Sequence, residues 1–229
     1  MLRLNVATFL IILFCAAGSS AVSWEHVYEC KNLPDDPALG NGIWKVFGVS
    51  DIGQVTKDGE LHITDPNNKV GFFMRDIGVE AATVETRVKV LSQSGASYSL
   101  FLGIENPAGD AWLDLFPDHL AIDNGGPTHV LDMTKYHILR VTKDAKNKIV
   151  VYVDDKQVLE GVIGGNSGRK DIIFGSGSTG GSSESYWDYV VYTTAGVFSP
   201  NQLPNYASTV ADVDVSGKLP IMWGKIKRQ

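Results

Sequence analysis

Cysteine is scarce in this chain, which has 2 in 229 residues. Cys15 lies in an amino-terminal segment that we expect to be removed, so Cys30 alone would remain and an intrachain disulfide is excluded. The mature protein must therefore be stabilised by its hydrophobic core, which about 200 residues are enough to build. We interpret Cys30 as a small buried apolar residue, and a reactive or intermolecular thiol is the alternative.

Positive charge is also in deficit, with 20 Lys and Arg against 26 Asp and Glu and a net charge of −6. Nucleic acids and anionic lipid surfaces are recognised by basic patches, so the composition argues against both as partners. An acidic surface is compatible with binding a neutral glycan or a cation.

The chain has no apolar run long enough to span a bilayer comfortably, since residues 6–15 (VATFLIILFC) are too few. Arg3 precedes this run and small residues follow it at 16–21 (AAGSSA), which is the order of a secretory signal peptide with cleavage after Ala21. We therefore expect residues 1–21 to be a signal peptide. The protein would then be secreted (extracellular, periplasmic or at the cell surface), with no membrane insertion after cleavage. Cleavage would leave 19 basic against 26 acidic residues, a net charge of −7.

Helical periodicity is absent after residue 22. Short runs of alternating or β-branched residues recur instead, separated by Gly, Asn, Asp and Pro. Many short runs without intervening helices predict an all-β protein, an antiparallel two-sheet β-sandwich. The runs are 54–56, 60–64, 71–77, 82–91, 98–105, 111–116, 119–122, 129–131, 136–142, 148–153, 157–159, 171–174 and 185–194.

The most regular stretch, residues 136–161, contains the acidic pair Asp154 and Asp155 between two apolar runs. A two-residue connection between strands favours positive φ, which Asp tolerates better than most residues. We interpret the pair as a tight hairpin turn, and a metal site is the alternative.

Seven motifs together resemble the strands of concanavalin A-like and laminin G-like jelly-roll domains of the bacterial secreted type. They are DGELHITD, ATVETRVKV, LDLFPDHLAI, YHILRVTKD, KIVVYVDDKQVLEG, IIFGSG and YWDYVVYTT, in the expected order. The resemblance covers about residues 24–195 and implies a jelly roll of two stacked, curved antiparallel sheets. The same fold serves lectins, glycan-binding modules, adhesive domains and glycanases, so it does not determine function.

The resemblance suggests one sandwich domain over residues 22–198. Residues 199–229 differ in composition: they begin Pro-, Asn- and Ser-rich and end in a small basic cluster. We interpret them as a linker and C-terminal tail. The tail would be an extra strand docked on the sandwich, a mobile extension, or an export or attachment signal.

The glycanases that this chain resembles carry two Glu and an Asp on one strand, spaced E-x-D-x-E or E-x-D-x-x-E. Alternate strand residues share a face, so this spacing places an acid and a nucleophile across one glycosidic bond. No strand of this sequence has the motif, and no zinc, nucleophile-elbow or phosphate-loop motif occurs either. An enzyme is therefore less expected than a binding protein, although a lyase site built from Arg, His and Tyr stays open.

Charged residues alternate with apolar ones along residues 82–91, so we expect the apolar side to line the core and the charged side to lie outside it. The resemblance implies that the concave sheet face carries a glycan, with aromatic rings stacked on sugars and charged groups bonded to hydroxyls. The alternative is a solvated outer face with cross-strand ion pairs. The predicted glycan-binding residues are Arg75, Glu85, Arg87, Trp112, Asp114 and Arg140.

The resemblance also implies one structural Ca²⁺, held by an acidic residue of the first strand and the Asp of the closing strand. Glu29 in VYEC and Asp188 in YWDYV take these positions, and backbone carbonyls would complete an oxygen shell. A polar surface pair without metal is the alternative. Such an ion would stabilise the fold and take no part in catalysis.

These observations predict a secreted, non-catalytic, lectin-like carbohydrate-binding module whose partner is a cell-surface or extracellular polysaccharide. One alternative is a glycan hydrolase or lyase with a nonstandard site on the concave sheet. The other is a structural or adhesive extracellular protein.

Overall fold

The computed structural model describes residues 22–49, 51–65, 70–95, 99–107, 109–122, 125–162, 168–177 and 181–209. The predicted signal peptide and residues 210–229 of the predicted tail lie outside these residues.

The described chain folds almost entirely as β-strands. They are β1 (His26–Tyr28), β2 (Lys45–Gly48), β3 (Gly53–Val55), β4 (Leu61–Asp65), β5 (Gly71–Asp76), β6 (Ala82–Ser94), β7 (Phe101–Asn106), β8 (Gly109–Leu115), β9 (His119–Ile122), β10 (Thr128–Val130), β11 (His137–Lys143), β12 (Lys148–Val153), β13 (Lys156–Val162), β14 (Asp171–Ser176) and β15 (Ser182–Thr193). A 3₁₀ helix at Pro37–Gly42 precedes β2, and one helical turn covers residues 206–209.

The strands form two antiparallel sheets. The eight-stranded sheet has the order β13-β12-β11-β6-β15-β4-β3, with β1 pairing with β15. The seven-stranded sheet has the order β10-β9-β8-β7-β14-β5-β2. The predicted all-β, two-sheet sandwich is confirmed. Within the described residues, no helix has the length and apolar character needed to cross a membrane.

The hydrophobic core lies between the sheets. Val84, Val88 and Val90 of β6 are fully buried there, so the predicted inward side of this strand is confirmed. Leu102 and Ile104 of β7 belong to the same core cluster. Complete burial of each such aliphatic side chain is worth about 1.5–3 kcal/mol, so these alternating positions hold the two layers together.

Cys30 is also part of this core and has no exposed surface. Burial raises the pKa of its thiol well above the usual value. The interpretation of Cys30 as a buried apolar residue is therefore confirmed, because a protonated, inaccessible thiol is a poor nucleophile.

The acidic pair of the β12–β13 hairpin is a turn, as predicted. Asp154 and Asp155 have φ of 47° and 67°, which is the left-handed region that such two-residue turns require. The Asp154 carboxylate also accepts hydrogen bonds from the Ile138 amide at 3.0 Å and from His137 Nδ1 at 2.7 Å. Asp154 therefore fixes the start of β11 as well as the turn.

Residues 199–209, which composition places in a linker, are packed on the outer face of the eight-stranded sheet. Leu203 is buried, and its carbonyl accepts a hydrogen bond from Arg140 Nη1 at 2.6 Å. Pro204 O accepts one from Trp24 Nε1 at 3.1 Å. These contacts correct the linker interpretation for residues 199–209: they are a docked part of the domain, although not an added strand.

Candidate functional site

The six predicted glycan-binding residues lie in three separate places. Glu85, Arg87 and Arg140 are on β6 and β11 of the eight-stranded sheet. The other three are on strands of the seven-stranded sheet: Trp112 and Asp114 on β8, and Arg75 on β5. The six residues therefore do not form one surface, because the strands that carry them belong to opposite layers. Glycan binding by them stays a prediction.

Glu85 and Arg140 are neighbours across β6 and β11, and both side chains are buried. The docked segment covers them, since the Tyr206 amide donates to Glu85 Oε1 at 2.7 Å and Arg140 bonds to Leu203 O. A ligand has no access to a pair that is covered in this way. Their role is to attach residues 199–209 to the sheet.

Arg87 lies further along β6, where the outer face is more open. Its guanidinium is 2.9 Å from Asp188 Oδ2 and 4.1 Å from the centre of the Tyr136 ring. Lys89 lies between two rings, with its Nζ 4.6 Å from the Tyr136 centre and 4.4 Å from the Tyr186 centre. This part of the face is a polar surface of cross-strand ion pairs and cation–π contacts, which corresponds to the alternative considered for the charged side of β6.

The outer face of the seven-stranded sheet carries four aromatic side chains in a continuous line, which we call the aromatic row. Phe47 stacks on Phe72 with ring centres 4.8 Å apart, Phe72 meets Phe101 edge-on at 5.5 Å, and Phe101 stacks on Trp112 at 5.4 Å. Phe72 and Phe101 form a hydrophobic cluster with Ile173 that is separate from the core between the sheets. The row therefore lies outside the sandwich.

Two glycines let the rings of the aromatic row meet across the strands. Gly175 of β14 pairs with both Phe72 and Phe101 and has a φ of 126°, so the two rings approach each other over a position without a side chain. Gly103 of β7 is opposite Trp112, and a Cβ at Gly103 would be 2.8 Å from the indole. The row crosses β2, β5, β14, β7 and β8.

The accessible members of the aromatic row are at its two ends. Phe47 is 47% exposed and Trp112 is half-buried, whereas Phe72 and Phe101 are 6% and 1% exposed. Phe72 and Phe101 therefore support the terminal rings, and Phe47 and Trp112 are the rings that a ligand can reach.

Arg169 lies over one end of the row, with its guanidinium 5.7 Å from the Phe47 ring centre and 5.6 Å from that of Phe72. Glu105 holds it by two hydrogen bonds of 2.7 Å each. Burial raises the pKa of Glu105 and the bonds from Arg169 oppose this increase, while the same bonds raise the pKa of Arg169. The guanidinium is thus fixed in orientation beside the accessible Phe47 ring.

A depression of about 320 Å³ lies next to this arginine on the same face. It contains both signs of charge: the Asp171 and Asp76 carboxylates, Lys45 and Arg169. Burial raises the pKa of Asp171, and the negative charge of Asp76 adds to this effect. The depression thus offers hydrogen-bond donors and acceptors within reach of an exposed aromatic ring.

Sequence patterns identified Trp112 and Asp114, which share the outer face of β8, but not the rest of the aromatic row. Phe47, Phe72, Phe101 and Arg169 were not among the predicted residues. A signal was present in GFFMRDI, where consecutive Phe72 and Phe73 point to opposite faces of β5 and both are buried. A strand that is apolar on both sides indicates that its outer face is covered or carries a binding surface.

The two residues predicted to bind calcium line one depression of about 380 Å³. Glu29 is 2.5 Å from Lys31 Nζ and accepts a hydrogen bond from the Tyr206 hydroxyl, while Asp188 pairs with Arg87. No group of three or more His, Cys, Asp or Glu suited to a metal occurs among the described residues. With each carboxylate already paired to a cation, this donor set does not fit Ca²⁺ as it stands, and the calcium site stays a prediction.

Comparisons with known proteins bear on the fold. No protein-family profile and no curated protein matches the chain. Among solved structures, a β-glucanase of Bacillus licheniformis is similar over 73% of this chain and 97% of that chain, with a TM-score of 0.52 at 12% identity. The fold is the concanavalin A-like jelly roll.

Binding domains of botulinum neurotoxins also match part of this chain, at lower structural similarity. The receptor-binding domain of type G covers 79% of this chain and 50% of its own length, with a TM-score of 0.49 and 9% identity. The binding domain of neurotoxin DC in complex with SialylT covers 70% and 45%, with a TM-score of 0.48 and 9% identity. The chain spans half or less of the length of these domains.

Proposed function

We propose that this protein is a non-catalytic, lectin-like module that binds a carbohydrate on the outer face of its seven-stranded sheet. The observation that carries the proposal is the depression beside Arg169, which adjoins the accessible Phe47 ring of the aromatic row. The shared jelly-roll fold with a β-glucanase supports the choice of a glycan as the ligand class.

The chemistry of this face suits a sugar. Apolar C–H faces of a pyranose pack on aromatic rings, while its hydroxyls need both donors and acceptors. Phe47 supplies the ring, and Asp76, Asp171 and Lys45 supply acceptors and a donor. Successive rings from Phe47 to Trp112 are 4.8, 5.5 and 5.4 Å apart, so the row is long enough for an oligosaccharide to lie along it.

Preorganisation also supports the proposal. Arg169 is held at two nitrogens by the buried Glu105 carboxylate. A guanidinium fixed in this way loses little conformational entropy when a ligand binds, so more of the contact energy is available for affinity.

Binding of neutral oligosaccharides is the direct test, first on a glycan array and then by calorimetry with the best ligand. Phe47→Ala removes an exposed ring and should weaken binding by about tenfold, since the ring contributes its buried apolar area and about 0.5–1.5 kcal/mol of stacking in addition, and 1.4 kcal/mol is a factor of about ten. Tyr152→Ala, on β12 of the opposite sheet, is the matched control and should bind like the unchanged protein. Absence of binding to every glycan, or equal losses in the two variants, would refute the proposal.

A glycan hydrolase is the second candidate, because Glu105 and Asp110 are opposite each other on β7 and β8 of this same face. Two carboxylates on adjacent strands do not produce the E-x-D-x-E spacing along one strand, so this motif could not identify them. Glu105 is fully buried and bonded to Arg169, however, which leaves it without access to a substrate. Release of reducing ends from a bound glycan, and its loss in Glu105→Gln, would establish the enzyme instead of the binding module.

A further inference from the structure

A separate cavity of about 240 Å³ opens at the margin where the two sheets meet. His26 and Tyr192 line it from the eight-stranded sheet, and Trp44 and Arg75 line it from the side of the seven-stranded sheet. Arg75 follows Met74, which lines the depression beside Arg169, so the cavity lies on the other side of β5. It is therefore distinct from the proposed glycan surface.

Aromatic rings form one side of this cavity. His26 stacks on Tyr192 with ring centres 4.4 Å apart, and Trp44 meets Tyr192 edge-on at 6.0 Å. Tyr28 in turn is 6.1 Å from Trp44. Trp44, Tyr28 and Tyr192 are almost completely buried, which fixes the rings in place.

Arg75 is the cation of this cavity, and its contacts are with neutral groups. Its guanidinium donates to the Asn41 carbonyl and hydrogen-bonds the Tyr192 side chain. No carboxylate among the described residues forms an ion pair with it: Glu25, which also lines the cavity, accepts from the Thr194 amide at 2.6 Å and from Thr194 Oγ1 at 2.8 Å.

His26, which also lines the cavity next to Arg75, does not supply a negative charge either. Burial lowers the pKa of His26, and the positive charge of Arg75 lowers it further. His26 is therefore neutral near pH 7. A partly buried guanidinium with only neutral partners gains most from a planar anion that accepts two hydrogen bonds.

We propose that this cavity is a binding site for a small organic carboxylate the size of one sugar, such as a hexuronic acid. The carboxylate pairs with Arg75, and the ring of the ligand packs against the His26–Tyr192 pair. The proposal is independent of the glycan-binding function, because it concerns a different cavity and a ligand of different charge.

The test compares glucuronate with glucose, which has the same ring but no carboxylate, by calorimetry on the complete protein. We expect glucuronate to bind about tenfold or more tightly than glucose, because a charge-assisted pair is lost in glucose. Arg75→Gln should weaken glucuronate binding by about tenfold or more, and Arg75→Lys by less, since it keeps the charge but not the planar geometry. Arg87→Gln, on the opposite sheet and already paired with Asp188, should leave binding unchanged.

Arg75 also attaches the 3₁₀ helix that contains Asn41, so a second variant is needed in case Arg75→Gln does not fold. Gly42→Leu keeps Arg75 but fills the space beside it, because a Cβ at Gly42 would lie 4.0 Å from Arg75 Nη1. It should abolish glucuronate binding while the melting temperature stays near that of the unchanged protein. Equal affinity for glucose and glucuronate, no binding of glucuronate at all, or undiminished binding in a folded Gly42→Leu or Arg75→Gln variant would overturn the proposal.

Discussion

Glu85 and Arg140 form a buried ion pair across β6 and β11, with Arg140 Nη2 2.5 Å and Nε 3.0 Å from the same carboxylate oxygen. The other oxygen accepts the Tyr189 hydroxyl at 3.1 Å and the Tyr206 amide at 2.7 Å. Burial raises the pKa of Glu85, and the charge of Arg140 opposes that increase. A buried pair with its hydrogen bonds satisfied is costly to break at one partner.

Arg140→Met should therefore lower the free energy of unfolding by about 3–5 kcal/mol, because it leaves the Glu85 carboxylate buried without its cation. Urea unfolding at neutral pH measures the change. Arg87→Met is the control, since Arg87 and Asp188 are 37% and 41% exposed and a surface pair of this kind contributes about 0–1 kcal/mol. Equal losses in the two variants would contradict a special role for the buried pair.

Truncation after residue 198 should destabilise the protein strongly. The docked residues 199–209 cover the Glu85–Arg140 pair and bury Leu203. Truncation after residue 209 keeps all of these contacts and is the control. Thermal unfolding of the two truncated chains measures the contribution of residues 199–209 to stability. Equal melting temperatures for the chains ending at 198 and 209 would show that the segment is dispensable.

The face on which a side chain lies was predictable from sequence, because alternation along a strand is a local property. The inward side of β6 and the Asp154–Asp155 turn follow from it, and both predictions are confirmed. The sheet to which each strand belongs is not local. Trp112 and Arg140 both lie on outer faces, but of opposite sheets, and no spacing within their strands distinguishes the two cases.

The linker prediction for residues 199–209, which was based on composition, is wrong for a related reason. Residues 199–205 are rich in Pro, Asn and Ser, which is typical of a linker. Their attachment depends on a few individual contacts, such as burial of the Leu203 side chain and the hydrogen bond from Arg140 to the Leu203 carbonyl. These contacts involve residues far apart in sequence, so composition cannot predict them. Similarly, Arg169 joins the candidate site through Glu105, which is 64 residues away in sequence.

Calcium at Glu29 and Asp188 stays a prediction that thermal unfolding can test. Lys31 holds the Glu29 carboxylate at 2.5 Å, so an ion must compete with the ammonium group. Lys31→Met removes the competitor, and we expect added calcium to raise the melting temperature of this variant more than that of the unchanged protein. Lys135→Met, which removes an exposed pair with Asp132, is the control. Identical melting temperatures in calcium and in chelator for all three proteins would exclude the site.

Two aspartates, Asp171 and Asp132, should make contributions to stability that change with pH in opposite directions. Burial, and secondarily the charge of Asp76, raises the pKa of Asp171 above its usual 3.8, so the folded state holds this proton more tightly than the unfolded state does. The contribution of Asp171 is therefore present below pH 3.8 and is lost as the pH rises through the raised value. Asp171→Asn has no such loss, and its stability relative to the unchanged protein should increase with pH across this range.

Asp132 has the reverse sign and serves as the control. Hydrogen bonds from Lys135 and Thr134 lower its pKa from 3.8 to about 2, so its contribution is present above pH 3.8 and is lost as the pH falls toward 2. Asp132→Asn should therefore differ most from the unchanged protein near neutral pH and least in acid. Urea unfolding of the three proteins from acid to neutral pH gives both slopes. A difference for Asp171→Asn that stays constant with pH would mean that burial does not disfavour the Asp171 carboxylate, and the depression beside Arg169 would then be more polar and better hydrated than its contacts indicate.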